Sequence, residues 1–321
     1  MRLNERVQGA IAHTSLVRFV ALAIWCVIIA ATPYESYGLF PREMLSAFGA
    51  GHVLLWFPLL TAIVLATPTL VAVKWLGVFT CAAAALKPRW RVVTAVALGA
   101  VLLLDLLTKS IGGYVNHAQF APIMVVAVFV ALRPRDCVSL PELLRWHKPR
   151  PVGQPGSGPH ASESREDASG ESCEAALWLA ALTVVLPYTY VAVNRLLTGG
   201  LAVFFSDAII DYSRVACSNS PTLLCQTALE GTSNPIVAAL LRTGFLATTL
   251  FEACSPLVLV ATRFRTVWLC AMIAFHVGTL VFMNIFFWEN VILLIALFGP
   301  WGGWGTVRRR QAPSQLVRPT V

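Results

Sequence analysis

The chain has 321 residues, of which 57% are hydrophobic and only 12% are charged, and its mean hydropathy is +0.71. This composition excludes an ordinary water-soluble globular protein and predicts an integral membrane protein with membrane lipids as partners. The formal net charge of +8 does not indicate a nucleic-acid partner, because the basic residues form clusters between apolar runs instead of a polar face.

Apolar runs predict about eight membrane-spanning helices, since one span needs about 20 mostly apolar residues. A ninth apolar segment, from His52 to Ala66, contains Pro58 and is predicted to be a short or re-entrant helix. The expected fold is therefore an all-α, polytopic transmembrane helical bundle. The predicted spans are Leu16–Ala31, Thr69–Leu86, Val92–Thr108, Val115–Leu132, Ala175–Leu196, Pro235–Ala261, Val267–Trp288 and Asn290 to about Trp304.

The basic residues predict the orientation of these spans. If residues 52–66 do not cross, alternation places most arginines and lysines on one side, including those of the loop 87–91, the long loop 133–165 and the turn 263–265. Positively charged loops favour the cytoplasmic side. Both termini are therefore expected in the cytoplasm and the loop containing Cys217 outside it, with the protein in the cell membrane.

A polar segment divides the chain into two helical halves. Residues 148–172 are rich in Pro, Gly, Ser, Glu and Arg, a composition too polar to bury a core, and they are predicted to be a disordered cytoplasmic linker. The linker separates a first membrane half at residues 1–147 from a second at 173–306, which a basic cytoplasmic tail at 307–321 follows. The halves show no internal repeat of the kind many transporters have.

Two ionisable residues are predicted deep within spans. Glu252 and His276 each lie eleven residues from the arginine turn at 263–265, which places both roughly 16 Å into the membrane at about 1.5 Å per residue. On adjacent antiparallel helices they would be level and able to pair. A proton relay or acid–base couple is one interpretation, and a structural hydrogen bond between two helices is the other.

A second group of polar residues is predicted toward the extracytoplasmic face. Asp105 and Lys109 lie four residues apart, a spacing at which they can satisfy each other, and snorkelling at the membrane interface explains any single member. Together the residues predict an outer polar pocket, well above Glu252 and His276. The group comprises Lys74, Asp105, Lys109, Asn116, His117, Arg195 and Arg242.

The eight cysteines do not show the paired spacing of a zinc site, so no metal is expected. Cys217 and Cys225 flank a short polar stretch in the loop that the topology places outside the cytoplasm, where oxidation is permitted. A local disulfide and two free thiols both fit this pair.

Four sequence blocks carry a resemblance to a known family. The first runs from residue 250 to 298 and has an acidic residue and a proline in one helix, a basic turn, and a Phe-His opening in the next helix. The second carries Asn116 and His117, the third is the segment 14–19 around Arg18, and the fourth is the segment 188–196. These blocks resemble the HTTM family, the membrane core of the vitamin K-dependent gamma-carboxylases, in which the third block corresponds to an opening Ser-Leu-x-x-x-Arg register.

The resemblance implies a membrane enzyme core with an active chamber on the extracytoplasmic side, and it points to a quinone as cofactor. In the carboxylases, the segment similar to residues 188–196 carries a catalytic lysine, but here the corresponding positions hold Asn194 and Arg195. Arginine stays protonated and cannot act as that base. Vitamin K-dependent glutamate carboxylation is therefore not expected.

Three classes of function remain open from the sequence. The first is a membrane enzyme of carboxylase ancestry that processes a lipid-phase or extracytoplasmic substrate, with His117 or a nearby lysine as base and Arg195, Glu252 and His276 as further catalytic candidates. The second is a non-enzymatic accessory or immunity protein. The third is a transporter, against which the missing repeats weigh.

Overall fold

Every secondary-structure element in the described part of the chain is a helix. The computed structural model describes residues 3–39, 56–87, 90–112, 119–132, 137–139, 141 and 159–301. The α-helices are α1 (Leu3–Ala31), α2 (Pro58–Val64), α3 (Thr67–Leu86), α4 (Arg91–Gly112), α5 (Phe120–Leu132), α6 (Pro159–Gly199), α7 (Ala202–Phe205), α8 (Ala208–Asn219), α9 (Leu223–Glu230), α10 (Pro235–Ala253), α11 (Leu257–Val260), α12 (Thr262–Met283) and α13 (Trp288–Phe298). Short 3₁₀ turns lie at Tyr34–Leu39 and Gly231–Ser233.

Six of these helices are long and apolar enough to cross a membrane: α1, α3, α4, α6, α10 and α12. An α-helix satisfies all of its interior backbone hydrogen bonds within one segment, which hydrocarbon requires of a spanning element. The prediction of a multi-pass, all-helical membrane protein is confirmed at this level.

The helices α5 and α13 are apolar but have only 13 and 11 residues, and they coincide with the predicted fourth and eighth spans. At about 1.5 Å per residue they are shorter than the hydrocarbon core of about 30 Å. The total of about eight crossings therefore stays a prediction. The seven-residue α2 is a short apolar helix, as predicted within residues 52–66, of which residues 52–55 lie outside the described part.

The second half begins earlier than its apolar run. Helix α6 starts at Pro159 and has 41 residues, so residues 159–172 are helical and differ from the disordered linker predicted for 148–172. Residues 148–158 and the predicted tail at 307–321 lie outside the described part of the chain.

Helix α1 packs at the centre of the bundle against α3, α5, α6 and α13. Its fully buried Trp25 joins one apolar core with side chains of both halves, among them Val101 of α4, Val185 of α6 and Leu294 of α13. The two halves therefore share a core.

Buried polar side chains fasten α1 to its neighbours. The Thr14 hydroxyl donates to the carbonyl of Cys173 at 3.0 Å, and the Arg18 guanidinium donates to Thr94 at 3.0 Å. Nε2 of His13 donates to the carbonyl of Ala296 at 2.9 Å, since a carbonyl only accepts. Buried polar groups are costly without such partners, so these bonds define how α1 meets α6, α4 and α13.

The predicted span Pro235–Ala261 is interrupted. Helix α10 ends at Ala253 and α11 begins at Leu257, because Pro256 lacks the N–H that would continue the helix. The indole N–H of Trp268 donates to the Ser255 hydroxyl at 2.9 Å and also to the Phe251 carbonyl at 3.1 Å. Trp268 thus packs at the break between the two helices and donates to acceptors on its N-terminal side.

Candidate functional site

A cavity of about 440 Å³ opens between α6, α8, α10, α12 and α13. Most of its lining is apolar, and its polar residues include Tyr188, Arg195, Glu252, His276 and Asn290. Small-molecule sites in proteins are typically apolar cavities of this size with a few convergent polar groups. The cavity is therefore the candidate functional site.

Helical periodicity brings the lining residues of α6 to one face. Val184, Tyr188, Val191 and Arg195 all line the cavity and follow one another at intervals of three or four residues, which places them on one side of a helix. Pro187 also lines the cavity. Its ring removes one backbone hydrogen bond from α6 at this level.

Arg195 and Glu252 form an ion pair in the wall of the cavity. Nη1 of Arg195 lies 2.8 Å from Oε2 of Glu252 and also donates to the Thr249 hydroxyl at 2.6 Å. The guanidinium lies over the Phe245 ring, 4.7 Å from its centroid. The Glu252 side chain is only 3% exposed and that of Arg195 is 22% exposed. The pair leaves this part of the wall without net charge.

A second polar pair joins α6 to α12. The Tyr188 hydroxyl lies 2.9 Å from Nε2 of His276. Aromatic rings surround the pair, with Trp268 at 5.8 Å from Tyr188 and Phe287 at 5.6 Å from His276 between ring centroids. These rings pack beside the hydrogen bond and restrict the orientation of the imidazole.

Two polar atoms beside the cavity are left unsatisfied within the described part of the chain. Nδ1 of His276 and Oδ1 of Asn290 are buried and have no hydrogen-bond partner there. Buried polar atoms in proteins are nearly always paired with protein, water or ligand. The two atoms therefore provide unused hydrogen-bonding capacity next to the apolar space.

The predicted direct pairing of Glu252 with His276 is replaced by two other pairings. Both residues line the same cavity, but Glu252 bonds to Arg195 and His276 to Tyr188. The expectation that Arg195 lies well above Glu252 and His276 is also wrong. The long arginine side chain contacts Glu252 directly, so one ligand is able to reach all three residues.

The structure does not gather the described members of the predicted outer group into one pocket. Lys74 pairs with Glu35 at 3.2 Å, Lys109 pairs with Asp105 at 2.5 Å, and Arg242 pairs with Asp207. These pairs divide the group because each cation has its own nearby carboxylate. Arg195 alone among Lys74, Asp105, Lys109, Arg195 and Arg242 lines the cavity.

Glu35 stands outside the spans, in the turn after α1. A hydrogen bond from its own backbone and one from the Lys74 ammonium hold the pKa of its carboxyl below the usual value. The carboxylate therefore stays ionised opposite Lys74, which explains how a lysine in the apolar α3 is accommodated.

A disulfide bond joins Cys217 at the end of α8 to Cys225 in α9, with a Cα–Cα distance of 6.0 Å. It links the two short helices into a hairpin that packs against α12. Of the two states left open by the sequence, the structure has the bonded one.

Asn116 and His117, predicted as binding and catalytic candidates, lie outside the described residues. Among the residues that are described, no group of three or more His, Cys, Asp or Glu side chains is placed to hold a metal ion.

Sequence reasoning missed Tyr188 and Asn290 as site residues. Tyr188 precedes Arg195 by seven residues, or two helical turns, and this spacing was a usable signal for a shared face. Asn290 had no such signal, because its approach to the cavity depends on the turn between α12 and α13, where Asn284 adopts a left-handed conformation with φ of 54°.

Comparison of the chain with protein-family models, with curated proteins and with solved structures finds no match.

Proposed function

We propose that this multi-pass membrane protein has an HTTM-like core and binds a lipid-soluble small molecule in the cavity between α6, α8, α10, α12 and α13. The observation that carries the proposal is the convergence of two polar pairs, Arg195–Glu252 and Tyr188–His276, on one largely apolar space within the membrane-spanning helices. An apolar body would fill the cavity and a polar head would meet these side chains.

The charges in the wall favour an uncharged ligand. Arg195 is neutralised by Glu252 at 2.8 Å, so an additional charge on the ligand would have no counter-ion in a medium of low dielectric constant. A quinone, which the sequence resemblance suggests as cofactor, meets this requirement.

The same residues indicate what chemistry is available. Within the described part of the chain, Nδ1 of His276 has no hydrogen-bond partner and is available to accept a proton from a ligand, and the hydrogen bond of Nε2 to Tyr188 orients the ring. Arg195 can donate to a carbonyl or oxyanion but cannot abstract a proton from carbon. If the protein is an enzyme, His276 is thus the base we propose. A non-enzymatic binding protein is the second candidate, favoured by the ion pair that occupies the arginine.

Binding is testable with a decyl-substituted benzoquinone, which quenches tryptophan fluorescence. Trp268 serves as the reporter, because it contacts Tyr188 at the cavity wall. We expect saturable quenching of the protein in lipid nanodiscs. Val191 lines the cavity, so the larger side chain of Val191→Trp should occupy space that the ligand needs. Binding should weaken by about tenfold or more, which corresponds to a loss of about 1.4 kcal/mol in binding free energy.

The matched control is Val193→Trp on the same helix. Val193 is 41% exposed and does not line the cavity, so this variant should bind the quinone as the native protein does. Equal affinity of the Val191→Trp and native proteins would refute the cavity as the binding site.

Glutamate carboxylation should be absent. A purified sample given reduced vitamin K quinone, a glutamyl peptide and labelled carbon dioxide is expected to incorporate no label, because an arginine is unsuited to act as the base and Arg195 is already bonded to Glu252. Arg195→Lys alone is not expected to restore the reaction. Incorporation of label above that of a heat-treated sample would overturn this inference.

A further inference from the structure

The cavity reaches the protein surface at Tyr212 of α8. Tyr212 belongs to the cavity lining, yet 53% of the residue is exposed. Arg195, deeper in the wall, also keeps 22% exposure of its side chain. The cavity is therefore open on this side, and the Tyr212 ring stands at its mouth.

The segment that carries Tyr212 exposes several large apolar side chains. It comprises residues 201–230 and is here called the α7–α9 segment. The most exposed of these side chains is Leu223, at 81%. Leu197 of α6, just before the segment, is exposed to the same degree. Exposed apolar side chains mark contact with a partner or a membrane where they form a contiguous patch. The exposed members of the segment are Leu201, Phe205, Tyr212, Val215, Leu223 and Leu224.

This surface continues into the lipid-facing surface of the spans. Ile236 and Leu240 at the beginning of α10 and Leu197 near the end of α6 are exposed in the same way, and α10 packs against both α7 and α8. The exposed ion pair between Asp211 and Arg214 on α8 adds a polar side. Short amphipathic helices of this kind lie at the boundary of headgroups and acyl chains.

Three contacts hold the α7–α9 segment on either side of Tyr212, and none of the three involves Tyr212. The Cys217–Cys225 disulfide holds the hairpin, the Asn284 side chain donates to the Ser220 carbonyl at 2.9 Å, and Arg242 pairs with Asp207. The Tyr212 side chain itself has no hydrogen bond or ring contact within the described part of the chain. Among the described residues, no such contact therefore fixes the ring, whereas these contacts hold the backbone on either side of it.

We propose that the α7–α9 segment rests in the interface of one bilayer leaflet and that a lipid-phase ligand passes from this leaflet into the cavity through a portal gated by Tyr212. This inference rests on the proposed function and adds the route of access. The predicted topology makes the leaflet the extracytoplasmic one. An apolar ligand then moves from acyl chains to cavity without crossing water.

The portal is tested by stopped-flow quenching with the decyl-substituted benzoquinone in nanodiscs. Tyr212→Ala should raise both the association and the dissociation rate, by about tenfold, because gating steps act on passage in both directions. Tyr212→Trp should lower both rates. In each Tyr212 variant both rates should move in the same direction, whereas Val191→Trp should raise the dissociation constant.

The control is Tyr190→Ala, since Tyr190 is exposed on α6 and does not line the cavity; its rates should be native. Native rates in both Tyr212 variants, with binding still lost in Val191→Trp, would overturn the portal and leave the proposed binding function standing. Absence of saturable quenching in the native protein would overturn both.

Contact with the leaflet is tested separately. A photo-crosslinking benzoylphenylalanine in place of Leu223 should label phospholipid acyl chains, whereas the same residue at the exposed Ser218 should label them weakly. Failure of the Leu223 position to label lipid would show that the α7–α9 segment stands clear of the bilayer.

Discussion

Arg195→Leu should destabilise the protein by about 3 kcal/mol, because it leaves the Glu252 carboxylate buried without a cation. The Glu252 side chain is 3% exposed, so its carboxylate would stay in a largely apolar wall without its cationic partner. Thermal unfolding in detergent should show a clearly lower Tm than that of the native protein.

The double variant Arg195→Leu with Glu252→Leu tests the cause. It removes both charges, and since apolar replacement of a buried ion pair is often neutral, it should recover most of the stability lost in the single variant. Thr249→Val is the milder control, expected to cost about 1 kcal/mol for the lost hydrogen bond. A loss in the double variant as large as that of Arg195→Leu would show that packing, and not the unpaired carboxylate, explains the effect.

The same pairing changes the expected relation between Glu252 and His276. The sequence predicted that they face each other at the same depth and are able to pair, and a pair would couple the effects of their substitutions on stability. In the structure they have separate partners, Arg195 and Tyr188. Any coupling between substitutions at Glu252 and His276 therefore has to come from the cavity that both residues line, and not from a direct bond.

Removal of the Cys217–Cys225 disulfide has the second large expected effect. The bond closes a loop of eight residues in sequence separation, for which the chain-entropy relation gives about 2.5 kcal/mol. Cys217→Ser with Cys225→Ser should therefore lower the Tm, and a reductant should lower the Tm of the native protein to the same level.

The control for oxidation elsewhere is Cys254→Ser, since Cys254 is a free and exposed cysteine; this variant should unfold like the native protein. A reductant should leave the double serine variant unaffected. An equal decrease of Tm by reductant in the native and double serine proteins would assign the effect to something other than this bond.

The sequence predicts the helical spans well because a bilayer imposes a simple requirement of about 20 apolar residues. It does less well where local chemistry acts inside a run, as at Pro256, which ends one helix within a single apolar stretch. The start of α6 at Pro159 was also missed, because a polar segment continuous with a span is able to extend its helix.

The site was harder to predict than the spans. Distance from the arginine turn gives the depth of Glu252 and His276, but the rotation of each helix and the reach of each side chain decide the partner. Arg195 reaches across to α10, and the carboxylates Glu35 and Asp207 come from segments between spans. Composition and spacing within the spans carry no information on these contacts.

The hydrogen bonds of α1 bear on how the chain is assembled during synthesis. His13 reaches a carbonyl 283 residues later in the sequence, at Ala296, and Thr14 reaches one 159 residues later, at Cys173. Helix α1 thus carries polar groups whose partners are translated much later. Until α13 arrives, the His13 side chain must reside in lipid with its bond to Ala296 unmade, or be sheltered by the insertion machinery, so a chain truncated before α13 is expected to be recognised and degraded.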